Sequence, residues 1–256
     1  NKITALPTPV AANGTFGGNG VKSVIGHPMG AQVGYVCDGI FKSQEEIDNH
    51  ATQEGAGLGR MRWKDLDHDG KITELDQTWI YDPVPDFTYG FNIYLEYKNF
   101  DFTAFFQGVQ GVDIISDLKK ETDIWAGLNI GNLNKGRRLL SAWSVDNPTS
   151  DIPALTLSDN NNEKRVSSYW VENGSYLKLR TIQLGYNFPQ SIASKLSMQR
   201  LRMYVSAQNL FTIKSSSFTG LDPENPNYGY PIPLNLTFGL NVTLIEPSIA
   251  ALKRAK

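Results

Sequence analysis

The chain has 256 residues, 40% of them hydrophobic and 11% aromatic, with a net charge of −2. That length fits one large domain or two ordinary ones, and the near-neutral charge gives no electrostatic case for a nucleic-acid partner. No run approaches 18 apolar residues, which excludes a transmembrane helix but not a barrel, whose alternation dilutes its hydropathy.

Residues 1–30 are rich in Gly, Pro and Asn and read as loop, densest at Gly17-Gly18-Asn19-Gly20. A phosphate-cradling loop would need a strand before it and a helix after it, and the sequence shows neither. Asn1 opens the chain without a signal peptide, as a mature secreted protein or a piece of a longer chain would. Ala31 to Asp38 is a short strand candidate. Ser43 with Glu46 three residues on is a capping-box pattern, predicting a short helix over Ser43 to Thr52. Cys37 is the single cysteine, so no internal disulfide can form.

Residues 53–86 read as a Gly-rich, then Asp-rich connector. Within it lies Asp65-Leu66-Asp67-His68-Asp69-Gly70-Lys71-Ile72-Thr73-Glu74-Leu75-Asp76. The spacing matches a twelve-residue calcium loop, with acids at positions 1, 3, 5 and 12 and Gly at 6. Asp65, Asp67 and Asp69 would point at one hard cation, and Gly70 would permit the bend. Lys71 would offer its carbonyl, Thr73 would act directly or through water, and Asp76 would close the site. Position 12 holds Asp where EF-hands prefer Glu, and two flanking helices are lacking, so a full EF-hand is not expected. The competing reading is an acidic solvated turn.

Phe87, Tyr89, Phe91, Ile93, Leu95 and Tyr97 alternate with Thr88, Gly90, Asn92, Tyr94 and Glu96. A strand sends successive side chains to opposite faces, so this one has a greasy and a largely polar face. Lys98 and Asn99 turn the chain, and Phe100, Phe102, Ala104 and Phe106 repeat the greasy face. Further strands are predicted near Tyr176–Phe188, over Leu201 to Gln208, and over Asn235 to Leu244. A soluble sandwich would bury the apolar face, whereas a membrane barrel would turn it to lipid. The span of ten to eleven residues suits a tilted strand crossing a bilayer.

The connections at 98–99 and 189–199 are short, while 109–168 and 211–234 are long. If successive strands alternate in direction, short turns fall on one rim and long loops on the other, as in membrane barrels. The Asp loop would then lie on the long-loop side, where calcium is plentiful. Trp125, Trp143, Trp170 and Tyr228 lie in or beside the long loops, where aromatics can stack on sugar rings but more often pack or form interfacial girdles. His27, His50 and His68 are the only histidines, and none sits in a nucleophile or zinc motif, so an enzyme is not expected.

Several stretches, in order, resemble SusC/RagA-type TonB-dependent outer-membrane transporters of Bacteroidetes. They include Gly26-His27-Pro28-Met29-Gly30, Asp38-Gly39-Ile40-Phe41, Trp63-Lys64-Asp65-Leu66-Asp67-His68-Asp69-Gly70 and Pro85-Asp86-Phe87-Thr88-Tyr89-Gly90-Phe91. Further on come Ser175-Tyr176-Leu177-Lys178-Leu179-Arg180, Tyr204-Val205-Ser206-Ala207-Gln208-Asn209-Leu210-Phe211 and Tyr228-Gly229-Tyr230-Pro231. The resemblance implies an all-β fold: the last strands of a 22-stranded, plugged, antiparallel transmembrane barrel with long extracellular loops. Residues 1–86 would be outer-side loops with a strand, a short helix and the Asp loop. Residues 87–244 would be barrel strands and loops, and 245–256 an atypical C-terminal tail.

It also implies a place in the cell outer membrane, among lipid, importing oligosaccharides or peptides. The partners would be a SusD-like surface lipoprotein as lid and the TonB complex, reached through an N-terminal part that this chain lacks. The cofactor expected is structural calcium at the Asp loop. The alternative is a soluble secreted calcium-dependent β-sandwich binding module.

Overall fold

A computed structural model describes residues 2–5, 15–16, 23–123, 136–156, 159–226 and 230–245. Trp125, Tyr228, the 17–20 glycine run and the tail beyond Ile245 lie outside the described residues. The strands are β1 (Thr15–Phe16), β2 (Ser23–Val24), β3 (Gln32–Tyr35), β4 (Cys37–Ile40), β5 (Met61–Trp63), β6 (Gln77–Tyr81), β7 (Phe87–Tyr97), β8 (Phe100–Gln110), β9 (Asp113–Ile115), β10 (Val171–Asn173), β11 (Tyr176–Asn187), β12 (Met198–Lys214) and β13 (Asn235–Leu244). Three short helices accompany them: α1 (Gln44–Asp48), α2 (Asp117–Asp123) and α3 (Gln190–Lys195).

The chain forms two compact units that interleave along the sequence, whereas the sequence reading divides it in order. One unit comprises Asn1–Phe87, Gln110–Ser175 and Lys214–Pro231, and the other Thr88–Val109, Tyr176–Ile213 and Ile232–Lys256.

The second unit is a five-stranded sheet in the order β13-β12-β11-β8-β7. β11 runs antiparallel to β8 with Leu184 opposite Phe102 and Tyr186 opposite Phe100. β12 runs antiparallel to β13 with Met203 opposite Leu240 and Val205 opposite Phe238. Phe100, Phe102, Leu184 and Tyr186 therefore share one face, as do Met203, Val205, Phe238 and Leu240, because opposed residues in a ladder share a face. A bulge lies between Leu179 and Thr181, adding one residue to β11. Glycines sit under neighbouring aromatic rings: a Cβ at Gly108 would meet Tyr89, one at Gly90 would meet Phe105, and one at Gly239 would meet Tyr204. The rings cover backbone that glycine leaves bare, which fixes register.

The ends of the strands segregate as expected. Lys98–Asn99 and 188–197 connect strands at one end of the sheet, and 111–175 and 215–234 leave from the other. β12 runs seventeen residues, longer than predicted on both sides, with Asn209 at φ +56° inside it. The stretch from 211 reads as the start of a polar loop, but the strand continues to Lys214.

The first unit departs more from expectation. The single strand predicted over Ala31 to Asp38 is two, β3 paired with β6 and β4 paired with β5, broken between them at Val36. The helix is five residues, shorter than Ser43 to Thr52. Ser43 accepts the Glu46 N–H at 3.2 Å, while the Glu46 carboxylate turns to the Lys42 N–H and not to Ser43. The 53–86 connector contains β5, a 3-10 turn and β6.

Met61, Trp63 and Trp170 form the core of this unit, with Tyr35, Cys37, Ile72, Ile115 and Tyr169 packed around it. The polar run at 159–163 helps to build it. Asn161 donates to the Met61 carbonyl at 2.7 Å, and the Met61 N–H donates to Glu163 at 2.9 Å. Gln53 donates to the same carbonyl and to Asn161, and accepts from the Trp63 N–H. These side chains do for β5 what a neighbouring strand would, since buried backbone groups must be paired. The 214–231 segment is anchored by buried Glu172, which accepts the Thr219 N–H and hydroxyl at 3.0 and 2.7 Å.

Candidate functional site

Two features carry chemistry, one in each unit. The first is the two-faced sheet. On its apolar face Phe91 is 44% exposed and Leu240 59%, and Phe87, Tyr89, Leu95, Phe100, Leu184, Val205, Leu236 and Phe238 are exposed as well. A soluble sandwich would seal this face in its core. Large open apolar patches on a folded protein mark a partner or a membrane.

The opposite face is polar and internally paired. Arg202 holds Asp101 through two hydrogen bonds, 2.9 Å from Nε and 2.5 Å from Nη2. Asn187 donates to the same carboxylate at 3.0 Å. Gly185 makes room for the pair, since a Cβ there would run into both side chains. Arg180 donates to Gln107 at 2.8 Å, and Tyr94 donates to Glu96. Tyr94, Glu96, Asp101, Thr103, Arg200 and Arg202 line a hollow of about 370 Å³ on this face. Sequence reasoning placed Tyr94 and Glu96 on the polar side but could not pair Asp101 with Arg202, because a ladder register is invisible in one sequence.

The second feature is the Asp loop. Asp65, Asp67 and Asp76 bring one carboxylate oxygen each to within 4.8 Å of one another. Asp69 and Thr73 are turned to other duties: Asp69 accepts the Lys71 N–H at 2.8 Å, and Thr73 accepts the Leu75 N–H at 3.1 Å. Buried Asp76 accepts the Leu66 and Thr73 N–H groups, both at 2.7 Å. Gly70 and His68 take positive φ, +82° and +60°, which gives the sharp bend predicted at Gly70. Lys71 forms an isolated bridge with Thr52, whose N–H bonds the Gly70 carbonyl at 2.8 Å.

The electrostatics fit a cation. Lost solvation pushes the Asp67 carboxyl above its usual range, and the charges of Asp69, Asp76 and Asp65 add to the rise. Lost solvation also pulls Asp65 upward, but the Gly70 and His68 N–H groups outweigh it and hold that carboxyl low. Carboxylates that repel one another across a small gap are what a divalent ion neutralises.

Of the aromatics considered for sugar stacking, Trp170 is 1% exposed in the core and cannot meet a ligand. Trp143 lies against Gly59 and Ala154, with its indole nitrogen buried. His27 stacks on Trp79 at 4.3 Å, and His50 meets Phe41 edge-on at 5.1 Å.

No family model matches the chain. It is 36% identical over 234 residues to TonB-dependent receptor P3 of Formosa agariphila, covering 85% of this chain and 22% of that protein. TonB-dependent receptor SusC of Bacteroides thetaiotaomicron is 27% identical over 217 residues, 83% of this chain and 20% of its own length. The chain is homologous to a stretch of these TonB-dependent receptors. Among solved structures it resembles the RagAB peptide transporter, with a TM-score of 0.66 and 25% identity over 91% of this chain and 24% of that one. The RagAB importer in its open-open state gives 0.69, 24%, 95% and 25% in the same order. The chain thus spans about a quarter or less of the receptors it matches. In that company the five-stranded sheet is a segment of barrel, with its two edge strands β7 and β13 at the ends of the segment.

Proposed function

We propose that this chain supplies part of the wall and outward loops of a TonB-dependent importer in the cell outer membrane. The observation that carries the reading is the sheet's two-faced construction: open aromatic and aliphatic side chains on one side, a paired polar network on the other. A bilayer strand needs this inversion, since lipid takes the place of a protein core. The short turns then face the periplasm and the long connections face outward.

Energy would come from the TonB complex, acting through the part of the receptor that precedes this stretch. A SusD-like surface lipoprotein would act as lid over the outer loops. The cargo is an oligosaccharide or a peptide; the RagAB neighbours are named for peptides, the SusC relative for neither. The Asp loop would hold structural calcium through Asp65, Asp67 and Asp76, with the Lys71 carbonyl as a further ligand. Asp69 and Thr73 would support the loop from behind, or join through water.

Arginine substitution tests the wall. In the full-length receptor, Phe91→Arg or Leu240→Arg should lower assembly into the outer membrane, at a cost of about 2–4 kcal/mol per site near mid-bilayer. Asn92→Arg and Asn241→Arg, one residue along on the polar side, should assemble nearly as the parent does. Equal assembly of all four variants would remove the reading.

A further inference from the structure

We propose that the apolar face carries a discrete seat for one anionic phospholipid at its short-turn end. The inference rests on the barrel-wall reading above. A groove of about 170 Å³, bounded almost wholly by carbon, runs between Phe100, Leu184, Tyr186, Met203, Val205 and Phe238. It starts at the rim. Phe100 is the first residue of β8 and lies opposite Tyr186, with their rings 4.8 Å apart. From there it crosses β11 at Leu184 and β12 at Met203 and Val205, ending at Phe238 of β13. The Tyr186 hydroxyl accepts from Asn99 in the turn at 3.5 Å, at the rim end of the groove.

The rim above the groove is cationic. Lys98 occupies the turn between β7 and β8, and exposed Lys195 ends α3 between β11 and β12. Neither connection contains an Asp or Glu. Strands spaced by ~4.8 Å put the centres of these two connections about 10 Å apart, with β8 and β11 between them. The nearest carboxylates on the strands, Glu96 and Asp101, belong to the polar face, and Asp101 is bound by Arg202. Beside Lys195, Ile192 and Leu196 are exposed one helical turn apart, the presentation of a short segment resting in an interface. One acyl chain would lie along the groove while Lys98 and Lys195 flank the phosphate. An anionic headgroup is favoured over a zwitterionic one, since each lysine near an anionic surface contributes about a fivefold factor in affinity.

Native mass spectrometry of the full-length receptor, stripped of lipid and titrated with phosphatidylglycerol or phosphatidylcholine, reads the seat directly. The parent should retain one phosphatidylglycerol more tightly than phosphatidylcholine. Lys98→Asn with Lys195→Gln should lose that preference, by about tenfold or more. Leu184→Trp should displace the tightest lipid by filling the groove while the face stays apolar. Lys64→Gln, in the other unit, should change nothing. If neither the lysine pair nor Leu184→Trp alters retention in a receptor that embeds normally, this inference falls and the wall reading stands. If the receptor does not embed in bilayers at all, both fall.

Discussion

Phe91 and Phe106 stack on neighbouring strands with ring centroids 4.6 Å apart and planes 13° apart, yet Phe91 keeps 44% of its surface open. The pair gains about 0.5–1.5 kcal/mol from ring contact. It does nothing to cover the outer side of the sheet, and the same holds at Leu236, Phe238 and Leu240 on β13. In water such a surface is a liability on a sheet with two free edges. In hydrocarbon it is the surface required.

The Asp101–Arg202 pair should behave as a mostly buried ion pair. Arg202→Ala should destabilise the receptor by about 3 kcal/mol, because Asp101 is left as an unpaired charge with only Asn187 beside it. Asp101→Ala should cost a similar amount through Arg202. The double variant should cost less than the sum, and thermal unfolding of the three variants yields the coupling. Additive losses would mean the two side chains do not hold each other.

The Asp loop should resist protease only when calcium is present. Asp67→Asn should remove that protection, since Asp67 converges with Asp65 and Asp76. Asp69→Asn should weaken it less, because Asp69 stands outside the cluster of Asp65, Asp67 and Asp76. Limited proteolysis across 65–76 with calcium or a chelator decides. Equal protection in the parent and in Asp67→Asn would count against a metal there.

Cys37 should be a poor nucleophile. Burial pushes its thiol up from 9.0 to about 11, with backbone hydrogen bonding at Gly39 pulling the other way. Its thiolate fraction at pH 8 is then about a hundredfold below that of an ordinary cysteine of the same starting value. The sign follows for stability: a raised value favours the folded state below pH 9, and that contribution is lost as pH rises through 11. Alkylation at pH 8 should be slow in the native receptor and fast once denatured. Fast native alkylation would contradict the half-buried placement.

The sheet was legible in the sequence because period-two alternation is a property of single strands. Phe87 to Tyr97 and Asn235 to Leu244 announce both faces without knowledge of a partner, and the observed strands match both ranges. The segregated turns were legible for the same reason, since strand direction alternates when strands neighbour each other in order. The short strands of the first unit were not legible. They are paired by side chains far away in sequence, such as Asn161 and Glu163 for Met61, and polar letters in a polar run give no sign that they are buried. At the Asp loop, the spacing located the bend at Gly70 and the convergence of Asp65, Asp67 and Asp76. It did not show that Asp69 and Thr73 would cap backbone, because small polar side chains compete for nearby N–H groups.

Lipid contact along one strand tests the account most directly. A fluorophore on a single cysteine at position 240 or 241, in the full-length receptor carrying Cys37→Ala and reconstituted in bilayers, reports which side meets the acyl chains. Brominated phospholipid should quench the probe at Leu240 and spare the one at Asn241, while an aqueous quencher should do the reverse. Quenching at Leu240 by the aqueous reagent alone would contradict the account.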